Sequence, residues 1–249
     1  MSANLRQYRA ICEALRQAYP GEPHGQCARH LTTLAALSSG IVASKSTQLP
    51  KVAATVPTGT KPESRVKRFA RWLDNERILE EVYFLPYAEL LLAHLALETL
   101  VLVLDGSVVG CGCVALMLHV IYKGRALPLA WRVRQGPKGH FPEALHIALV
   151  DLVRPCLPEG TSVVFLGDGE CAGTRLQQTL TEAGWGDACR TAQSTVAPWD
   201  GETFRLDTLG AWSKPGPRIA FQEVKSTRDA YGPGMVRRCW AKGYPEPLS

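Results

Sequence analysis

Leu100-Val101-Leu102-Val103-Leu104-Asp105 decides the reading of this chain, together with a second stretch of the same build, Val163-Val164-Phe165-Leu166-Gly167-Asp168. Each is a short apolar run closed by a carboxylate. A run of that length reads as a strand buried on both faces, which belongs to a sheet covered by helices. Ligands of such sheets collect beyond strand ends, where carboxylates from two strands can converge on a hard cation such as Mg²⁺ through oxygen. That combination points to metal-assisted chemistry on phosphate. A strand-end Asp can equally cap the turn that follows it, so the pair carries more weight than either member.

Upstream of the first run the apolar spacing is helical from Leu5 to about Leu100, with breaks at Pro20 to Pro23, around Gly40 and at Pro57 to Gly59. It predicts an apolar helix over Leu31 to Ile41 and a short one over Ser46 to Thr55, with Leu49, Val52 and Ala53 on one side. Thr60-Lys61-Pro62-Glu63 has the S/T-x-x-E form of a capping box, with Pro where no intrahelical donor is lost. Beyond it Val66, Phe69, Ala70 and Leu73 mark a buried stripe. Lys61, Arg65 and Arg68, flanked by Lys67 and Arg71, mark the opposite one. Trp72 either anchors the core or packs on a sugar. From Lys61 to Arg71 five basic residues face the single acid Glu63, a local balance of +4 in a chain whose net charge is +5. Such a face is either solvated surface or a helix-turn-helix-like seat for a phosphate backbone, held through counterion release and blind to sequence.

Downstream, Val114 to Tyr122 and Ala126 to Val133 read as strands joined by the tight turn Lys123-Gly124-Arg125, forming an antiparallel meander with the first. Phe141 to Val153 reads as an amphipathic helix stopped by Pro155 and Pro158. Ser162 to Leu166 is then a strand reached by a helical crossover, hence parallel to the first. Thr174 to Ala183 makes another helix, ending at Gly184, and Asp187 to Ala192 a fifth strand. The order β-β-β-α-β-α-β defines an α/β fold of ribonuclease-H-like architecture, a mixed sheet flanked by helices. Residues 1–98 are thus expected to be an all-α region for DNA binding or dimerisation, and 99–198 the ribonuclease-H-like core. Residues 199–249 are Gly- and Pro-rich, with β-like pieces at Arg218 to Val224 and Met235 to Trp240, and read as a β-rich insertion.

With 46% hydrophobic and 20% charged residues the chain is not a disordered one, and its mild positive charge permits nucleic acid without demanding it. The eight cysteines show no framework spacing. The N-terminus, Met1-Ser2-Ala3-Asn4-Leu5-Arg6, lacks the build of a signal peptide, so reduced thiols in a cytosolic protein are expected. Cys111 and Cys113 read as small hydrophobes, because a zinc site would want a second pair and none exists at similar spacing. The apolar stretch from Tyr83 to Leu100 approaches membrane-span length, but Pro86, Glu89, His94 and Glu98 interrupt it.

Several segments together resemble the DDE transposases of bacterial insertion sequences, of the insertion-sequence-four type. Gly40-Ile41-Val42-Ala43-Ser44-Lys45-Ser46 and Lys61-Pro62-Glu63-Ser64-Arg65-Val66-Lys67-Arg68 are similar to the N-terminal DNA-binding part of that family. Leu104-Asp105-Gly106-Ser107 resembles its first-aspartate strand, and Phe165-Leu166-Gly167-Asp168-Gly169-Glu170-Cys171 its second. Trp240-Ala241-Lys242-Gly243-Tyr244-Pro245-Glu246-Pro247 resembles the end of its inserted β-region. Two departures stand out. Gly169 and Cys171 replace the family's usual Arg and Phe, and its third acid, a Glu on a late helix, has no counterpart before Ser249. On this reading the product is truncated or frameshifted, and Glu223, Asp229 and Glu246 are not promoted to fill the gap.

The resemblance implies DNA transposition on double-stranded transposon ends and target DNA, by a homodimer assembled on DNA in the bacterial cytoplasm and nucleoid. It implies Mg²⁺ or Mn²⁺, two ions in the complete site, with Asp105 and Asp168 as catalytic and metal-binding residues. Lys61, Ser64, Arg65, Lys67, Arg68, Arg71 and Lys138 would contact DNA, His140 being a further candidate in the Gln135-Gly136-Pro137-Lys138-Gly139-His140 loop. That loop also reads as a plain β-to-α connection. In-line phosphodiester attack uses two ions about 3.5 to 4 Å apart, so the lack of a third acid implies impaired catalysis. Arg132 and Arg134 alternate with Val133 and face one side together, as phosphate contacts or as a polar sheet edge. A catalytically dead DNA-binding remnant, and a different nuclease on the same fold, stay open beside the transposase.

Overall fold

The computed structural model describes residues 3–95, 97–137, 139, 141–190, 195–199, 202–206, 208, 219–226 and 231–238. The chain is mixed α/β and divides into two compact units, residues 1–96 with 156–158, and residues 97–155 with 159–249. Among the described residues no helix is long and apolar enough to cross a membrane.

The first unit contains α1 (Ala3–Ala18), α2 (Gly25–Ser44), α3 (Leu49–Thr55), α4 (Pro62–Leu73), α5 (Glu80–Tyr83) and α6 (Leu85–Leu95). Its core gathers Ala36, Leu37, Val52, Ala53, Val56 and Phe69, with Tyr8, Ile41, Leu49, Val66 and Trp72 packed around them. Trp72 therefore belongs to the core. The break expected around Gly40 does not occur, for α2 runs through it to Ser44 and closes on Lys45 in the left-handed region. A Cβ on Gly40 would lie 2.6 Å from Val52 Cγ1 and 2.8 Å from the Val52 carbonyl. The glycine serves the close crossing of α2 and α3 and breaks nothing.

Thr60 does not cap the helix that its S/T-x-x-E spacing predicts. α4 begins at Pro62 with Lys61 as its N-cap and no side-chain cap bond. The Lys61 carbonyl already accepts from the Ser64 and Arg65 N–H groups, so Thr60 lies one residue too early to cap. Its hydroxyl pairs with that of Thr58 at 3.2 Å.

The second unit is built on a five-stranded mixed sheet, β1 (Thr99–Gly110), β2 (Cys113–Tyr122), β3 (Arg125–Gln135), β4 (Ser162–Gly167) and β5 (Gly186–Cys189), in the order β3-β2-β1-β4-β5. β1, β2 and β3 form the expected antiparallel meander. Lys123 and Gly124, both at positive φ, make the two-residue hairpin turn whose twist matches the flanking strands. The helix α7 (Glu143–Val153) carries the chain across to β4, which runs parallel to β1, and α8 (Thr174–Glu182) carries it on to β5. Two further hairpins follow, β6 (Val196–Trp199) with β7 (Glu202–Arg205), and β8 (Ile219–Ser226) with β9 (Tyr231–Arg238). The first of them straddles residue 199.

The sheet's two faces differ. Leu100, Leu102, Leu104 and Gly106 of β1 are buried on one face, as are Val163 and Phe165 of β4. Here Phe141 lies so close over Gly106 that a Cβ would meet its ring at 3.0 Å, and α7 packs on β2 and β3. On the other face Val101, Val103, Val164 and Leu166 are only half-buried. The expectation of strands sealed on both faces therefore holds for one face only.

Candidate functional site

Asp105 does not end its strand, as the apolar run suggested. β1 continues five residues beyond it to Gly110 because β2 pairs with it along that whole length. Asp105 instead lies level with the carboxyl end of β4. The parallel register runs from Thr99↔Ser162 to Leu104↔Gly167, so the next residues in step are Asp105 and Asp168. Asp168 keeps extended backbone angles, φ −85° and ψ −168°. Alternation therefore sets both acids on the half-open face of Val101, Val103, Val164 and Leu166. Both are exposed.

Each carboxylate already has a local partner. The Ser107 hydroxyl donates to Asp105 Oδ2 at a long 3.5 Å, and the Glu170 N–H donates to Asp168 Oδ1 at 3.0 Å. Asp168 thus caps the 3₁₀ turn Gly169–Cys171, the alternative role foreseen for a strand-end Asp. Two adjacent carboxylates fit one Mg²⁺, which commonly takes one or two such ligands and fills its shell with water and phosphate oxygens. Among the described residues no group of three or more His, Cys, Asp or Glu is arranged to hold a metal ion.

Two α7 side chains that the sequence reading passed over belong to this end of the sheet, Glu143 and His146, the second within reach of the Asp168 charge. Glu143, at the start of α7, accepts from the Leu176 N–H at 2.9 Å. It thereby caps α8, whose own N-cap, Gly173, has no side chain to do so. A Cβ on Gly173 would fall 2.2 Å from Glu143 Oε1, so the glycine and the borrowed carboxylate go together. His146 is 1% exposed, stands edge-on to Phe141, and neither ring nitrogen has a hydrogen bond of good geometry among the described residues. Burial lowers its pKa against the opposing pull of the Glu170, Asp168 and Glu143 charges. A Glu-x-x-His pair facing inward on an apolar helix, followed by a helix opening on glycine, was the available signal.

Cys171 and Cys189 flank the strand end that carries Asp168. A Cβ on Gly167 would come within 2.6 Å of one sulfur and 3.3 Å of the other. Burial pushes both thiols up to about 12, so they are protonated packing groups at neutral pH. Cys171 does support the acid's turn, although smaller than the Phe it replaces in the resemblance. Cys111, by contrast, is exposed at the tip of the β1–β2 hairpin, against the expectation that it packs.

The basic helix α4 is rearranged relative to expectation. Arg65 is 8% exposed and lies on the buried stripe with Phe69, while Leu73 is 55% exposed. Its guanidinium donates to the Ala53, Val56, Thr58 and Thr60 carbonyls. It closes the carboxyl end of α3 and the turn after it, and it has no donors left for phosphate. Arg68 is half-buried, with its guanidinium carbon 5.3 Å from the Phe69 ring centroid. Lys61, Ser64, Lys67 and Arg71 are exposed and share one face. Lys138 and His140 lie outside the described residues. Arg132 and Arg134 do share a face, but it is the one opposite Asp105, since Arg132 pairs with Leu116 and Trp131 with Met117. No protein-family model matches the chain, and no curated protein matches it.

Proposed function

We propose that this chain is a DNA transposase of the DDE type on a ribonuclease-H-like fold, in which Asp105 and Asp168 hold a divalent cation for phosphodiester cleavage and strand transfer. The observation that carries the reading is the β1/β4 register, which sets the two acids side by side on one face at the carboxyl end of β4. The strand order β3-β2-β1-β4-β5, with β2 antiparallel to its neighbours, supports the fold. When bound, Mg²⁺ or Mn²⁺ supplies Lewis-acid stabilisation of the phosphoryl oxygens. The chain's own part is to orient the carboxylates, with Ser107 bonded to one and the Glu170 N–H to the other. Lys61, Ser64, Lys67 and Arg71 offer a phosphate-binding face on α4.

The test is nicking of supercoiled plasmid by purified protein with Mg²⁺ or Mn²⁺. Activity lost on chelation and in Asp105→Asn supports the reading; cleavage unchanged in Asp105→Asn removes that residue from the mechanism. A DNA-binding remnant without cleavage is the second reading. The observation in its favour is that Asp168 is committed to capping a turn while no described group supplies a third ligand. Salt-dependent DNA binding with no metal-dependent nicking would select it.

A further inference from the structure

The helix α4 buries donors that have nothing to donate to. Nε and Nη2 of Arg68 and Nε1 of Trp72 are sealed from solvent, and none has a hydrogen-bond partner among the described residues. The two residues are four apart on one helix, so their side chains are neighbours on its surface. Nε and Nη2 form the side-on edge of the guanidinium, two parallel N–H groups that match two oxygens of one anion. The Phe69 ring, 5.3 Å from the guanidinium carbon, offers that edge no oxygen. Tyr8 of α1 packs on the same core cluster as Trp72. Burial, and then the Cys12 thiol, push the Tyr8 phenol up against the pull of two cations, Arg68 and Arg16. The phenol therefore stays protonated and supplies no counter-charge to Arg68.

A buried donor without an acceptor costs its full desolvation, and a charged donor costs more. A bound anion removes that cost at all three nitrogens together. We infer that Arg68 and Trp72, with Arg16 adding positive charge nearby, form a seat between α1 and α4 for a tetrahedral oxyanion of the phosphate class. The seat lies in the helical unit and does not rest on the proposed function. Donor count decides the occupant. The guanidinium edge takes two oxygens and the indole N–H a third, whereas a carboxylate has only the two. A phosphodiester within a duplex carries sugars on both sides and meets exposed side chains such as Lys67 and Arg71, so the sunken donors suit free phosphate or the terminal phosphate of a small ester. The cover that must yield is α1. It contains no fully buried residue, and a helix held by few buried contacts opens at low free energy. An anion admitted beneath it ties α1 to α4.

The experiment titrates the full chain with sodium phosphate at constant ionic strength, chloride making up the balance, and reads the heat of binding and the amide exchange of α1. Wild type should bind a single phosphate and slow exchange across Ala3–Ala18. Arg68→Lys keeps the charge but loses the side-on edge, and should bind about tenfold more weakly. Trp72→Phe keeps an aromatic ring but loses the N–H, and should bind about fivefold more weakly. Circular dichroism verifies that each variant is folded, and Trp72→Phe decides alone if Arg68→Lys is not. Lys67→Ala should change nothing. Adenosine 5′-monophosphate binding as well as phosphate assigns the seat to an ester end, and phosphate alone binding assigns it to the free ion. The seat is overturned if phosphate does not bind, if both variants bind it like wild type, or if acetate displaces it equally well. It is also overturned if Arg68→Lys loses affinity for duplex DNA by the same factor, since the donors would then serve the DNA backbone.

Discussion

Arg65 shows how a charge can be misassigned from spacing alone. Arg65, Phe69 and Trp72 recur at i, i+4 and i+7, which is as good a buried stripe as the apolar one it displaces. What selects it is the demand of α3 for donors at its carboxyl end, a tertiary need with no local signature. Arg65→Ala should therefore cost about 3 kcal/mol of stability, because several buried carbonyls lose a charged donor at once. Urea denaturation checks this; a loss under about 0.5 kcal/mol would mean that the clamp is ornamental. Lys67→Ala should leave stability unchanged while lowering the slope of log affinity for DNA against log salt by about one. His146 carries a pH signature. Burial lowers its folded pKa, whereas in the unfolded chain it titrates near 6.5. The folded state then binds fewer protons, so stability is full above about pH 6.5 and declines as pH falls below it. The melting temperature should drop between pH 7.5 and 5.5, and His146→Leu should flatten that profile; parallel profiles would exclude His146 as the cause.

Elements were legible where period and punctuation agreed. The meander, the crossover strand and α7 follow from alternation, the Lys123-Gly124 turn and the stops at Pro155 and Pro158. Boundaries failed where pairing or packing overrode composition. β1 outlasts its apolar run because β2 supplies hydrogen bonds beyond Asp105, and α2 outlasts Gly40 because a crossing helix needs the missing side chain. Glycine is an ambiguous sign in a helix, marking an end or a close approach, and only the neighbouring element resolves it. Gly40→Ala tests that resolution. If Gly40 were a break, alanine would stabilise the helix by up to about 1 kcal/mol. With the Val52 backbone 2.8 Å from the new Cβ, the crossing must open, and a loss of about 1 to 3 kcal/mol is expected. The sign alone, read from thermal denaturation, decides between the two.

At the scale of the whole molecule, the candidate site was legible as a pair and illegible as a geometry. Two apolar runs each ending in Asp said that the acids share a sheet edge region; only the register said that they are neighbours in step on one face. That register has a thermodynamic consequence independent of DNA or cleavage. Asp105 lies on β1 and Asp168 one residue past the end of the parallel strand β4, and folding alone brings the two to one end of the sheet, so a divalent cation held by both would bind the folded chain in preference to the unfolded one. A ligand with that preference raises stability by RT ln(1 + [L]/Kd), about 1.4 kcal/mol for 10 mM Mg²⁺ if its Kd is about 1 mM. Asp105→Asn removes one charge from the pair. It should leave the metal-free protein as stable as wild type or slightly more so, and it should erase the rise in melting temperature on adding Mg²⁺. Raising monovalent salt to the same ionic strength should not reproduce the wild-type rise, since screening acts on every surface charge and the site on two. A rise that survives in Asp105→Asn, or that sodium chloride matches, would show that the acids are close in space without forming a cation site.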